Sequence, residues 1–240
     1  MALPQTVKTD MIGNLALTIS TESTVDFDAI VLDTETRVLR GLLGDKLFND
    51  QEANPDKQKF KDLLDGVTWI DDDDDLTPHI LTGMKIALHY FVYYDWGNFL
   101  PSVNTFVGKV LSDNENSIAL TRQQNNIGIA DRYSIAIDLY VEARAFIKRF
   151  EQNDKTYTTI TESPAGTYTV LLANTLYLSN GDVVTIDKQE FTVAGLVLNT
   201  SFTFTAANGL TFVVNGDLFW KPFEDVANLE LGKIDLEGLV

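Results

Sequence analysis

The chain has 240 residues, 45% hydrophobic and 22% charged, enough apolar material for one large domain or two small ones with real cores. Asp and Glu outnumber Lys and Arg by 35 to 18, a formal net charge of −17; so acidic a surface repels a phosphate backbone and argues against direct nucleic-acid binding. The absence of cysteine removes disulfide scaffolds, thiolate metal sites and cysteine nucleophiles.

Residues 1–22 carry scattered apolar residues and Thr/Ser without helical periodicity and read as an N-terminal arm ordered by a partner. The first twenty residues lack the basic start and long apolar run of a secretion signal, so synthesis in a cytoplasm is expected. A first helix is predicted from Ser23 or Thr24, with Asp26 and Asp28 favourable to its dipole. Phe27, Ile30, Val31, Val38, Leu39, Leu42 and Leu43 form its apolar stripe, and Gly44 is placed to end it. The following DKLFN at 45–49 is expected to add a turn that tucks in Leu47 and Phe48. A short helix is predicted over 56–64, with Phe60, Leu63 and Leu64 inward and Gly66 as its stop.

Residues 67–70 then run into five consecutive aspartates at 71–75. A calcium loop needs alternating ligands, a Gly turn and a distal Glu; that spacing is absent, and the run reads as a solvated acidic loop ahead of a helix. The next stretch, 77–99, is predicted as one helix, with Thr77 as N-cap and Pro78 at its first position. Its apolar residues fall on nearly every side, so it must be covered all round, either within a helical core or partly by a neighbouring subunit. His79, Lys85, His89 and Asp95 interrupt any run of the ~18 apolar residues a membrane span needs.

Residues 103–120 have no clean period and read as a long functional loop or a short ribbon. A second long helix is predicted over roughly 121–152. Tyr133, Ile137, Tyr140, Val141, Arg144 and Ile147 take one face, and Ile135, Leu139, Phe146 and Phe150 an adjacent one. Two such faces imply contact both with the bundle and with something beyond it.

The texture changes at Lys155: thirteen threonines fall between Thr156 and Thr211, and no arginine follows Arg149. The runs at 156–161, 167–172, 183–187, 190–194, 201–206 and 210–214 alternate as strands. Turn signals at 163–166, Asn180-Gly181, Asp187-Lys188, Asn208-Gly209 and Asn215-Gly216 separate them. The expected fold class is α+β: an N-terminal arm (1–22), a helical bundle (23–154), a small antiparallel Thr-rich β-module (155–222) and an extended C-terminal arm (223–240).

No phosphate loop, dinucleotide fingerprint or nucleophile elbow occurs. His79 and His89, ten positions apart on one predicted helix, fall roughly 80° off a shared face at about 100° per residue and make a poor metal pair. No carboxylate pair is singled out among the many present, so no catalytic, cofactor or metal site is assigned. The Thr, Tyr and Asn expected on the β-module would suit a carbohydrate-binding face, or stacking against an identical neighbour.

Residues 23–152 resemble the head–tail connector (adaptor) proteins of tailed bacteriophages, especially those of phages infecting Bacteroidetes. The resemblance rests on LRGLLGDKLF (39–48), FKDLLDG (60–66), the aromatic ALHYFVYYDW (87–96), the loop NTFVGKV (104–110) and the long-helix segment AIDLYVEARAFIKRF (136–150). It implies a non-enzymatic, helical virion protein that forms a ring, typically twelvefold, between the portal and other tail or neck proteins, with the genome passing through the lumen. The β-module departs from the simple family pattern and reads as an addition. On this reading the subunit or partner interface is expected at Tyr93, Tyr94, Trp96, Phe99, Phe106, Gly108, Phe146 and Phe150. The competing readings are a glycan-binding or decoration module of a virion or cell surface, and a metal-assisted hydrolase built on His79, His89 and the aspartate run.

Overall fold

The computed structural model describes residues 24–70, 78–99, 110–111, 118–119 and 122–223, and the fold is α+β. The arm at 1–22, the aspartate run, Phe106, Gly108 and residues 224–240 lie outside the described residues. Helix α1 (Thr24–Ala53) is broken at Gly44, whose φ of 75° and ψ of 165° are non-helical. The predicted stop is therefore a kink, and the turn after it buries Leu47 and Phe48 as expected. Helix α2 (Gln58–Asp65) buries Phe60, Leu63 and Leu64 and ends at Gly66, where φ is 92°.

The next element corrects the sequence reading. Pro78 starts no helix: strands β1 (Val67–Ile70) and β2 (Pro78–Leu81) pair antiparallel, with Trp69 opposite His79. Helix α3 begins only at Met84 and runs to Phe99. The chain turns between β2 and α3 at Gly83, at φ 101°. A Thr-Pro pair suits a strand start as well as a helix start, because the missing N–H of a first-position proline costs no ladder bond where that nitrogen faces away from the partner strand. Deciding between them needed Val67–Ile70 as partner, and a hairpin partner is not a local signal.

α3 is covered on most of its circumference, with Met84, Ala87, Leu88, Phe91, Val92 and Trp96 buried, but not all round as expected: Ile86 stays 42% exposed. The covers are α1, α2 and α4 (Arg122–Arg149) of the same chain. Between α3 and α4, strands β3 (Val110–Leu111) and β4 (Ile118–Ala119) pair antiparallel, so the segment read as loop or ribbon contains a ribbon. Along α4, the two predicted apolar faces merge into one broad stripe through Ile129, Ala136, Ile137, Tyr140, Ala143, Phe146, Ile147 and Phe150. Ile135 and Val141 lie outside it, 42% and 55% exposed. Among the described residues no helix is long and apolar enough to cross a membrane.

The C-terminal part is a sandwich of two antiparallel four-stranded sheets. One comprises β10 (Ala194–Val197), β11 (Ser201–Thr205), β7 (Thr167–Leu171) and β6 (Thr159–Glu162), in that order. The other comprises β5 (Asn153–Thr156), β12 (Asp217–Trp220), β8 (Val183–Ile186) and β9 (Gln189–Thr192). Alternation puts Tyr168, Val170, Phe202 and Phe204 of the first sheet against Val184, Ile186, Phe191, Leu218 and Trp220 of the second. The Asp187-Lys188 signal is borne out as a two-residue hairpin, both residues at positive φ and Ile186 paired with Gln189.

Two strand expectations need correction. The run at 156–161 divides at Tyr157 and Thr158 into β5 and β6, which join different sheets. The run at 210–214 is no strand although it alternates; β12 follows instead at Asp217, after Gly216. A β-carbon at Gly216 would come within 2.3 Å of the Tyr157 hydroxyl, so a bare backbone is required there. The C-terminal arm also begins differently from expectation, because Phe223 is fully buried in the helical core.

Candidate interaction surface

The aromatic end of α3 is anchored first by its own core. Trp96 is 1% exposed and meets Phe27 of α1 edge-on at 5.2 Å, with Val31 and Val92 completing the cluster. One residue earlier, Asp95 sits at the rim, where an apolar helix must give a carboxylate partners. Its Oδ2 accepts bonds from Thr34 Oγ1 (2.6 Å) and Arg37 Nη2 (2.5 Å), both on α1. Tyr94 packs on Tyr133 of α4 with centroids 4.5 Å apart, and the Arg132 guanidinium lies 5.0 Å from the Tyr93 ring. Thr34, Arg37, Tyr94, Asp95 and Tyr133, with Ala29, Ile30 and Asp33, line a surface groove of about 510 Å³. Burial pushes the Tyr133 phenol up, neighbouring Tyr94 adds to the shift and Arg37 opposes it, so Tyr133 enters any contact as a neutral donor.

This groove unites Tyr94 with residues the sequence reading did not select: Thr34, Arg37, Asp95 and Tyr133. The available signal was Asp95 itself, a lone carboxylate inside an aromatic helix. Of the expected interface residues, Tyr93 and Tyr94 are half-buried at the surface, whereas Trp96, Phe146 and Phe150 point into cores of the same chain. Phe99 is the last residue of α3, and its side chain lies outside the described set.

Phe146 and Phe150 answer the question of what lies beyond the bundle. Phe146 touches Trp69 of β1 at 5.2 Å and Tyr177 and Phe223 at 6.0 Å each, and Phe150 meets Tyr177 at 5.1 Å. Tyr177, from the β7–β8 connection, donates its hydroxyl to Asp62 of α2 at 2.9 Å. Phe146 and Phe150 of the second face are thus covered by Trp69, Tyr177 and Phe223 of the same chain, while Ile135 of that face stays 42% exposed.

A charged cluster flanks this joint, in a cavity of about 650 Å³ lined in part by Lys46, Asp50, Lys59, Asp182, Lys188 and Lys221. Lys59 is 5% exposed; its Nζ donates to the Pro222 carbonyl at 2.8 Å and pairs with Asp50 at 3.4 Å. Burial pushes Lys59 down, against the pull of Asp182 and Asp50. Burial pushes Asp182 up, against Lys59 and Lys57. For Asp50 burial also acts upward, but the bond from Lys57 and the nearby Lys59 charge win and hold it low.

The signs give a prediction. Folded Asp182 binds its proton more tightly than the unfolded chain, so its contribution to stability falls as pH rises through the range above 3.8. Asp50 contributes stability that is present above 3.8 and lost as pH falls through its lower folded value. Lys59, depressed from 10.5, makes stability rise as pH climbs toward that value. Denaturant unfolding at stepped pH should therefore show Lys59→Met removing the alkaline rise and Asp182→Asn removing the decline above 3.8; unchanged profiles would contradict these assignments.

The histidines do not share a helix: His79 stacks on Trp69 from β2 at 5.4 Å, while His89 is buried in α3. Among the described residues no group of three or more His, Cys, Asp or Glu could hold a metal ion. In the β-module Tyr157, Tyr168 and Tyr177 are all buried, so the tyrosines expected on a carbohydrate-binding face are interior. Compared with family models, curated proteins and solved structures, the chain matches none of them.

Proposed function

We propose that this chain is a structural subunit of a tailed-phage neck, one copy of a ring, about twelvefold in the proteins it resembles, that joins portal to tail and lets the genome pass. The observation that carries the reading is the placement of the blocks behind the resemblance. LRGLLGDKLF spans the Gly44 break of α1, FKDLLDG ends α2, ALHYFVYYDW lies in α3 and AIDLYVEARAFIKRF ends α4. The net charge of −17 supports it further, since DNA slides past an acidic wall without adhering.

The groove beside Tyr93 and Tyr94 supplies a surface for the next subunit: half-buried tyrosines, an arginine and a rim carboxylate are the mixture that interfaces favour. A head-to-tail contact of this kind closes into a ring when its rotation permits. The test is negative-stain microscopy or mass photometry of the purified protein, alone and with a tailed-phage portal protein. Rings or portal-bound rings are expected, and a monomer that joins neither portal nor tail would overturn the reading. Tyr94→Ala should cost about 0.5–1.5 kcal/mol of stability through the lost Tyr133 contact. The same variant should abolish ring formation, while wild-type-like rings would remove the groove from the interface.

A further inference from the structure

The outer face of the β10-β11-β7-β6 sheet is built of rows that carry no charge. One row runs Val197–Ser201–Leu171–Thr159 across the four strands. The next runs Ala194–Thr203–Thr169–Thr161, and Thr205 pairs with Thr167 beyond it. The alternate residues Tyr168, Val170, Phe202 and Phe204 are buried, so the rows are the solvent side. Glu162, which ends β6, is drawn off to the rim, where it accepts the backbone N–H groups of Gly166 and Gly209. Three apolar residues stand exposed at one end: Leu171 (40%), Val197 (53%) and, in the following turn, Leu198 (71%).

We propose that this face docks against the same face of a second copy of the chain, about a two-fold axis. Two arguments select that occupant. Two copies each carrying −17 meet like charge to like charge, and these rows add no charge of their own to that repulsion. A threonine hydroxyl is both donor and acceptor, so a threonine face can satisfy an identical face, and its methyls pack as they do between strands. A glycan is disfavoured because no aromatic platform lies among the rows.

Four strands about 4.8 Å apart and five residues at about 3.3 Å give a face of roughly 20 by 17 Å. That is well below the about 800 Å² per partner of a stable complex, so the dimer is weak. The contact is two-fold and cannot by itself close a ring, so it is separate from the groove and does not rest on the ring reading.

Sedimentation velocity of the full chain over a concentration series reaching the millimolar range tests it. A monomer–dimer equilibrium is expected, strengthening as salt rises from about 0.05 to 0.5 M because only repulsion is screened. T161K/T169K should weaken dimerisation at least roughly tenfold by placing unpaired ammonium groups in the contact, with an unchanged melting curve. Thr192→Lys, exposed on the other sheet, should not. Lysine lowers the net negative charge and favours association in general, so loss in the double variant would be local. A protein monomeric throughout, a dimer that dissociates with salt, or a double variant that dimerises like wild type would each overturn the proposal. None of these results bears on portal-dependent rings.

Discussion

Phe146→Ala is expected to lower the unfolding free energy by about 3–5 kcal/mol, the upper range for truncating a buried aromatic. The side chain is fully buried and has aromatic neighbours from four places in the chain: Trp69 of β1, Phe150 just after α4, Tyr177 of the β-module and Phe223 beyond its last strand. A cavity there is walled by elements that are themselves tied down, Tyr177 through Asp62 and Phe223 through the Lys59 bond to Pro222. The site cannot collapse to fill the void, which is the condition for the large end of the range. Val141→Ala, five residues earlier in α4 and 55% exposed, should stay within about 0.5 kcal/mol. Urea unfolding of both variants checks the contrast, and a cost under about 1 kcal/mol for Phe146→Ala would show that the joint is not packed.

Gly83→Ala is the second large effect. Gly83 has φ 101°, and an added β-carbon would lie 2.7 Å from Asp65 C and Gly66 N and 2.8 Å from Leu64 O. These are backbone atoms of the α2 terminus and cannot swing aside. Backbone strain of about 1–3 kcal/mol and overpacking of about 1–3 kcal/mol both oppose the substitution. The neighbourhood is further pinned by Glu142 of α4, which accepts the Thr82 N–H, and by the Lys85–Asp65 ion pair. Gly128→Ala in α4 should have the opposite sign: nothing lies within 4 Å of the added carbon, and a helix interior favours alanine by about 0.5–1 kcal/mol. Thermal unfolding of the pair should move in opposite directions, and parallel shifts would contradict the local geometry.

Gly83 also shows where the sequence stops being legible. Read locally, Thr77-Pro78 begins a helix and Gly83 is an interior flaw in it. In the fold the glycine is the hinge at which a hairpin hands over to α3, and the flaw was the better signal. Trp96, Phe146 and Phe150 make the same point for the candidate site. Helical spacing marked them as needing cover, but only the fold shows that the cover is Phe27 in one case and Tyr177 with Phe223 in the others.

What the sequence by itself determined is what short-range chemistry determines. Composition and periodicity placed the long helices and most strands of the β-module, though not β2 or β12, glycines marked the break at Gly44 and the stop at Gly66, and Asp187-Lys188 marked a hairpin. The apolar content of 77–99 called for a helix covered on all sides, and the helix that forms, from Met84, is covered on most of them. Tertiary structure alone decided which residues cover it, how β5 and β6 part into different sheets, and how Asp95 finds Arg37. Those outcomes rest on contacts between residues far apart in sequence, where the winning partner is set by shape and charge across the whole chain.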